Sequence, residues 1–85
     1  METRVALMSI IVEEEEGRPS DSVKQMNAFL HDFGQYIIGR MGIPYRPKHV
    51  SIISIAMDAP QDVISALSGK IGRLPGVTVK TTYTK

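Results

Sequence analysis

Two strand-length stretches, RVALMSIIV at residues 4–12 and HVSIISIAM at residues 49–57, are apolar on both of the faces a strand presents. Successive side chains of a strand point to opposite sides of its sheet. Val5, Leu7 and Ile11 therefore form one face of the first stretch, and Ala6, Met8, Ile10 and Val12 form the other. In the second stretch Ile53, Ile55 and Met57 alternate with Val50, Ile52 and Ala56. Strands of this kind belong in the middle of a sheet that is covered on both sides. A chain built around them has to find two covers for one sheet.

The intervening segments supply one of them. EEEEGRPSDS reads as a loop that ends in helix-start residues, with Ser20, Asp21 or Ser22 as the cap. Val23, Met26, Leu30 and Phe33 recur at helical spacing until Gly34 stops the run. QYIIGRMGIPY, residues 35–45, reads as a second strand, and RPK as a turn in which Pro47 blocks any continuing ladder. After the third strand, Asp58 and Pro60 are expected to open a second helix carrying Val63, Ile64, Leu67, Ile71 and Leu74 on one face. LPGV ends that helix, and VTVKTTY forms the last strand, with Thr78, Lys80 and Thr82 on one side as suits an exposed edge. The order is βαββαβ. With right-handed crossovers it closes as an α+β ferredoxin-like sandwich, four antiparallel strands in the order 4-1-3-2 with two helices on one face.

The 85 residues leave room for one domain, residues 1–85, and a chain of this size buries only about 60% of its unfolded surface. The absence of cysteine excludes disulfides, thiolate metal sites and a cysteine nucleophile, and fits a reducing cytoplasm. No apolar run approaches the roughly 18 residues of a membrane span, and the N-terminal flank is wrong for a signal peptide. A cytoplasmic protein is expected. The net charge of +1 is too small for direct nucleic-acid binding. It divides unevenly, with −4 over residues 1–36 and +5 over residues 37–85, and the run Glu13 to Glu16 is expected to be a solvated loop.

Motifs that could carry chemistry give little. In SGKIGRLPG the Gly69-Lys70 pair is followed by Ile71 and lies at a helix end, whereas a phosphate loop needs Ser or Thr there at a helix start. A KH-type G-x-x-G would sit between two helices, but Gly72 leads through Pro75 into a strand. Gly69 and Gly72 read as a glycine-punctuated helix end that approaches the sheet closely. His31 and His49 have no second histidine three or four residues away, and read as surface or turn residues. TTYT is ordinary edge-strand content. No catalytic residue, metal site or cofactor is expected. The densest positive stretch, RMGIPYRPKH, places Arg40, Arg46 and Lys48 around Tyr45. Gly39 and Gly42 leave backbone groups accessible beside it, which reads either as a solvated hairpin or as an anion-binding edge.

YIIGRMGIPYR, SIISI and ALSGKIGRLPGVTVKT closely resemble the family of small proteins named as regulators of the iron-only hydrogenase system, over almost the whole chain from about Val5 to Lys80. Relative to that family, EEEEGRP looks like an insertion. The resemblance implies a fold like the regulatory domain of the nickel-responsive repressor and, more distantly, an ACT-like domain. The repressor binds nickel through a histidine at the end of the first helix, a His-x-His pair on the second strand and a cysteine. His31 falls near the first of these positions, Gly42 and Pro44 fall at the pair, and the cysteine has no counterpart. A square-planar site needs four good donors, so the resemblance implies that no nickel site is retained. Nor is the repressor's DNA-binding arm expected ahead of the first strand.

These readings converge on a non-enzymatic regulatory module that senses a small ligand or binds a partner protein. The alternative is an accessory or maturation scaffold for a metalloenzyme. The expected ligand or partner contact is Gly39, Arg40, Gly42, Tyr45 and Arg46, which would suit a small anionic ligand or a hydrogenase-system protein. Val5, Leu7, Ile11, Ile52 and Ala56 are expected to bury against another subunit of a homo-oligomer, a dimer or tetramer, because left in water they would form an apolar patch larger than monomers usually carry.

Overall fold

A computed structural model describes residues 2–14 and 21–84. The chain runs β1 (Arg4–Glu13), α1 (Asp21–Asp32), a 3-10 turn (Gly34–Tyr36), β2 (Ile37–Tyr45) and a second 3-10 turn (Arg46–Lys48), then β3 (Val50–Ala59), α2 (Gln61–Gly72) and β4 (Val77–Tyr83). The four strands form one antiparallel sheet in the order β2-β3-β1-β4. This is the expected ferredoxin-like α+β topology, with the two doubly apolar strands in the centre. β1 pairs with β3 along its whole length, from Arg4 opposite Ala59 to Glu13 opposite Val50, and with β4 from Ala6 opposite Tyr83 to Val12 opposite Val77.

One face of this sheet makes the core. Ala6, Met8, Ile10 and Val12 of β1 and Ile53, Ile55, Met57 and Ala59 of β3 join Met26 and Leu30 of α1 in a single buried cluster. Ile64, Leu67 and Ile71 of α2 complete it, with Leu74 just beyond. Each valine, leucine, isoleucine or methionine among them contributes about 1.5–3 kcal/mol when fully buried. The helical spacing read from the sequence thus faces the even-numbered side of β1 and the odd-numbered side of β3, as the antiparallel register requires.

Element ends differ from expectation where pairing overrides local signals. Asp58 does not open α2; it is a strand residue opposite Val5, and the helix begins at Gln61 after Pro60. Glu13 likewise belongs to β1 and not to the loop, held opposite Val50. Gln35 and Tyr36 lie in the 3-10 turn before β2. Of the candidate caps of α1, Ser20 falls outside the described residues, as do Glu15 and Glu16. Asp21 is the first helical residue, and the buried Ser22 lies within the helix, its hydroxyl donating to the Pro75 carbonyl at 2.7 Å.

The glycines at the end of α2 do not approach the sheet. A methyl group at Gly72 would meet nothing within 4 Å, and one at Gly69 would meet only the Arg73 guanidinium. The glycine that packing requires is Gly76. Its φ of +74° is strained for any L side chain, and an added Cβ would stand 2.9 Å from the Glu13 carbonyl oxygen. The Gly76 carbonyl accepts the Glu13 N–H at 2.8 Å. Together with the Ser22 bond, this pins the α2–β4 connection and so sets where β4 lies. Arg4 ties down the far end of the same strand. Its guanidinium donates to the Thr84 carbonyl at 2.7 Å and to Gln61 Oε1 at 2.6 Å, and stacks 4.8 Å over the Tyr83 ring.

These contacts separate two glycines only four residues apart. Gly76→Ala is expected to lower the unfolding free energy by about 1–3 kcal/mol. Gly72→Ala should leave it unchanged or raise it by up to about 1 kcal/mol. Urea denaturation of both variants checks the pair.

Candidate functional site

The helices cover one side of the sheet; the other side is open and largely apolar. Residues directly opposite in an antiparallel pair share a face, so the registers read out this surface row by row. Ile43, Ile52, Ile11 and Thr78 make one row across the four strands. The next is Met41, Ser54, Ser9 and Lys80, and the third is Gly39, Ala56, Leu7 and Thr82. Tyr45, Val50 and Glu13 close one end, and Asp58 and Val5 the other. Val5, Leu7, Ile11, Ile52, Met41, Ile43 and Tyr45 on this face are each 40–56% exposed. The residues singled out as an interface, Val5, Leu7, Ile11, Ile52 and Ala56, therefore do stand together on the helix-free face, with Ala56 half-buried between its bulkier neighbours.

Sequence reasoning missed Met41 and Ile43 as parts of the same surface. The signal was available: Gly39, Met41, Ile43 and Tyr45 alternate along β2 in the same way as the apolar positions of β1.

The five residues of the expected ligand contact do not converge. Gly39 and Tyr45 lie on the open face, whereas Arg40 and Gly42 belong to the helix side, opposite Ile55 and Ile53. The Arg40 guanidinium donates to Asn27 Oδ1 of α1 at 3.1 Å. Arg46 begins the turn between β2 and β3. A bulge between Ile37 and Gly39 leaves Ile38 out of register and 64% exposed. The five residues thus wrap an edge strand and do not line a pocket.

Gly39 and Gly42 carry a further observation. A Cβ at Gly39 would meet nothing within 4 Å, and one at Gly42 would touch only Ile53 Cγ1 at 4.0 Å. Neither has the positive φ that would call for glycine. Glycine weakens a strand; Gly39 adjoins the bulge, and no contact among the described residues requires glycine at Gly42.

The turn after β2 ends at His49, the one non-glycine residue with positive φ among the described residues, at φ 52° and ψ 46°. Its N–H donates to the Arg46 carbonyl at 3.1 Å, and its carbonyl accepts the Glu14 N–H at 2.7 Å. Ser51 Oγ donates to Glu14 Oε1 at 3.1 Å. This corner is a structural clasp between the end of β1 and the β2–β3 turn. His31 is exposed in the last turn of α1. Among the described residues no three His, Cys, Asp or Glu side chains gather as a metal site would need, and no helix is long and apolar enough to cross a membrane.

With this geometry in place the comparisons with known proteins can be read. The family model described as "TM1266-like: Iron-only hydrogenase system regulator, putative" matches residues 4–81. The chain is similar to the uncharacterized protein TM1266 from Thermotoga maritima, at 38% identity over 99% of this chain and 100% of that one, with a TM-score of 0.90. It is also similar in fold to a formyltetrahydrofolate deformylase from Pseudomonas putida KT2440, at 13% identity and a TM-score of 0.61, over 92% of this chain and 28% of that one. That likeness concerns the fold alone. No curated protein matches the chain.

The bare edge strand has a measurable consequence. Gly39→Ala and Gly42→Ala should keep or raise the stability of the isolated chain, by up to about 1 kcal/mol, because alanine is the better strand former here and has room. A loss above 1 kcal/mol in thermal or urea unfolding would mean that the chain itself needs these glycines.

Proposed function

Because the chain belongs to the TM1266-like family of iron-only hydrogenase system regulators, we propose that it is a non-enzymatic regulatory domain that works as a homo-oligomer. In this reading the helix-free sheet face is the self-association surface, and β2 with its following turn is the contact for a small anionic ligand or a partner protein. The observation that carries the reading is the open face itself. Four strands spaced about 4.8 Å apart and rising about 3.3 Å per residue over ten residues present roughly 600 Å². That area comes close to the roughly 800 Å² that each partner contributes to a standard interface.

The glycines of β2 support the second half. They cost strand stability without serving the packing of the described residues, which fits a backbone approached by another molecule. Arg46 offers a forked donor suited to a carboxylate or phosphate, and Tyr45 beside it adds an aromatic surface.

Static light scattering at micromolar concentration tests the assembly. The unaltered protein is expected to show a mass of at least two chains, and Leu7→Asp or Ile11→Asp to show one chain with unchanged circular dichroism, since both side chains point away from the core. A single-chain mass for the unaltered protein would sink the proposal. The ligand contact is tested separately with Arg46→Ala. Ordinary surface substitutions change stability by under about 0.5 kcal/mol, so this variant should fold normally and lose binding of inorganic phosphate or small carboxylates in a titration. Full binding would remove the turn from consideration.

A further inference from the structure

The two outer strands leave different edges, and the edge along β4 is the unbroken one. β4 ends the sheet order, so one side of its backbone has no neighbouring strand. The Glu13 N–H donates to the Gly76 carbonyl at 2.8 Å, and the Thr84 N–H donates to the Val5 carbonyl at 2.9 Å. Hydrogen-bonded pairs alternate along an antiparallel ladder, so Thr78, Lys80 and Thr82 exchange bonds with Ile11, Ser9 and Leu7. Val79, Thr81 and Tyr83 therefore turn their N–H and C=O groups outward, beside the outward carbonyl of Val77. The Val77 N–H is held by the Leu74 carbonyl at 3.3 Å, and no described residue bonds to the rest of this row. Val77–Tyr83 holds neither proline nor glycine, and its register with β1 runs without a bulge. A regular row of donors and acceptors is what an added strand pairs with, and folded proteins ordinarily block it.

We propose that the free edge of β4 is a docking site for an extended acidic segment of a partner protein, which joins the sheet as a fifth strand. The site is separate from the open face and from the turn at Arg46. Charge selects the partner. From Val63 to Tyr83 the chain carries Lys70, Arg73 and Lys80 and no acid. Lys80 stands at the centre of β4 on the open face, and the Arg4 guanidinium stacks over Tyr83 at the end of the strand. The acids of the open face, Glu13 and Asp58, belong to β1 and β3, one and two strands in from this edge. A residue directly opposite Lys80 on an added strand places its side chain on the same face, with Cβ atoms about 4.5–5.5 Å apart. An aspartate or glutamate there makes an opposite-charge pair.

A second copy of this chain fits the edge less well. Two β4 strands pairing antiparallel about a two-fold axis would use the outward residues as their hydrogen-bonded partners. The register that engages all of Val77 to Tyr83 sets Lys80 directly opposite Lys80 of the other copy, and like charges so placed are destabilising. Sliding by two residues separates the lysines but removes a hydrogen-bonded pair from a short ladder. Lys80 thus guards the edge against copies of itself and leaves it open to an acidic strand.

The probe is a blocked peptide of the length of β4 that alternates glutamate with valine, followed by fluorescence anisotropy. It is expected to bind the unaltered protein, more weakly as salt is raised, while the same peptide with lysine for glutamate does not bind. A third peptide carries N-methyl groups on its valines, whose amides face β4 when glutamate stands opposite Lys80. It keeps the charge and is expected to lose binding; equal binding would overturn strand addition. Hydrogen exchange read by NMR reports the row itself. In the free protein the amides of Val79, Thr81 and Tyr83 should exchange fast, and those of Thr78, Lys80 and Thr82 slowly. With the glutamate peptide at about ten times its dissociation constant, the first set should slow about tenfold.

Thr81→Pro removes one outward donor at a position where an edge strand accepts proline. It gives up no side-chain hydrogen bond, since Thr81 Oγ1 has no partner among the described residues. The variant should fold by circular dichroism and bind the glutamate peptide about tenfold more weakly or worse. Lys80→Glu keeps the backbone row and should reverse the preference toward the lysine peptide, which carries the test if Thr81→Pro fails to fold. No binding of the glutamate peptide by the unaltered protein would overturn the proposal. Bound peptide that leaves the amides of residues 79, 81 and 83 unprotected would overturn it too. A mass in light scattering that halves on Thr81→Pro without peptide would give the edge to a second copy and overturn the acidic partner.

Discussion

Everything in this structure depends on β1 being hydrogen-bonded on both of its edges and apolar on both of its faces. Pairing with β3 on one edge and β4 on the other holds ten residues extended, including Glu13, which local preference would release into a loop. The same pairing keeps Asp58 in β3 and delays α2 to Gln61. The two helices then have one assignment left, which is to cover the side that carries Met8 and Ile10. Among the described residues no third element covers the other side. The apolar face is thus a consequence of the topology.

Much of this was legible in the residues. The double alternation of residues 4–12 and 49–57 placed those strands in the centre, and the helical spacing of Met26, Leu30, Ile64, Leu67 and Ile71 named the side chains that close the core. Two kinds of information were not legible. One was the role of each glycine, which depends on neighbours distant in sequence. Gly76 is required because the Glu13 carbonyl lies beside it across the fold, whereas Gly72, three residues after the equally conspicuous Gly69, touches nothing. The other was the facing of β2. Arg40 and Arg46 are near in sequence and share a charge, so they read as one basic site. The pleat and the turn separate them, and Arg40 turns to Asn27 on the helix side.

The two edges of the sheet are finished differently. β4 carries Lys80 on its open face and is tied at both ends, by the Glu13–Gly76 hydrogen bond and by the Arg4 contacts to Thr84 and Tyr83. A charged lysine and short length are ordinary protection for an edge strand. β2 has a different set: Pro44 within the strand, a bulge at Ile38 and two glycines. Proline sits in an edge strand only where its ring nitrogen faces outward, away from the ladder. Pro44 therefore denies one donor to any strand that would add along that edge, while its faces remain open.

This difference makes β2 the natural place for a contact that is not strand addition. A partner that read β2 by backbone pairing would meet Pro44 and the bulge, both of which interrupt a ladder. A ligand or subunit that read its faces would meet Met41, Ile43 and Tyr45 on one side and Arg40 with Gly42 on the other. The first set is apolar and continuous with the rest of the open face, so the same strand that borders the proposed self-association surface also borders the basic turn at Arg46. An edge strand can join the two proposed roles in this way. Burial of the open face by a second copy would fix the position of β2, and the turn at its end would then present Arg46 from a rigid support. A loop arginine in a lone chain would pay more ordering entropy on binding an anion than one held by an assembled interface. Assembly and ligand contact are coupled through β2 on this account.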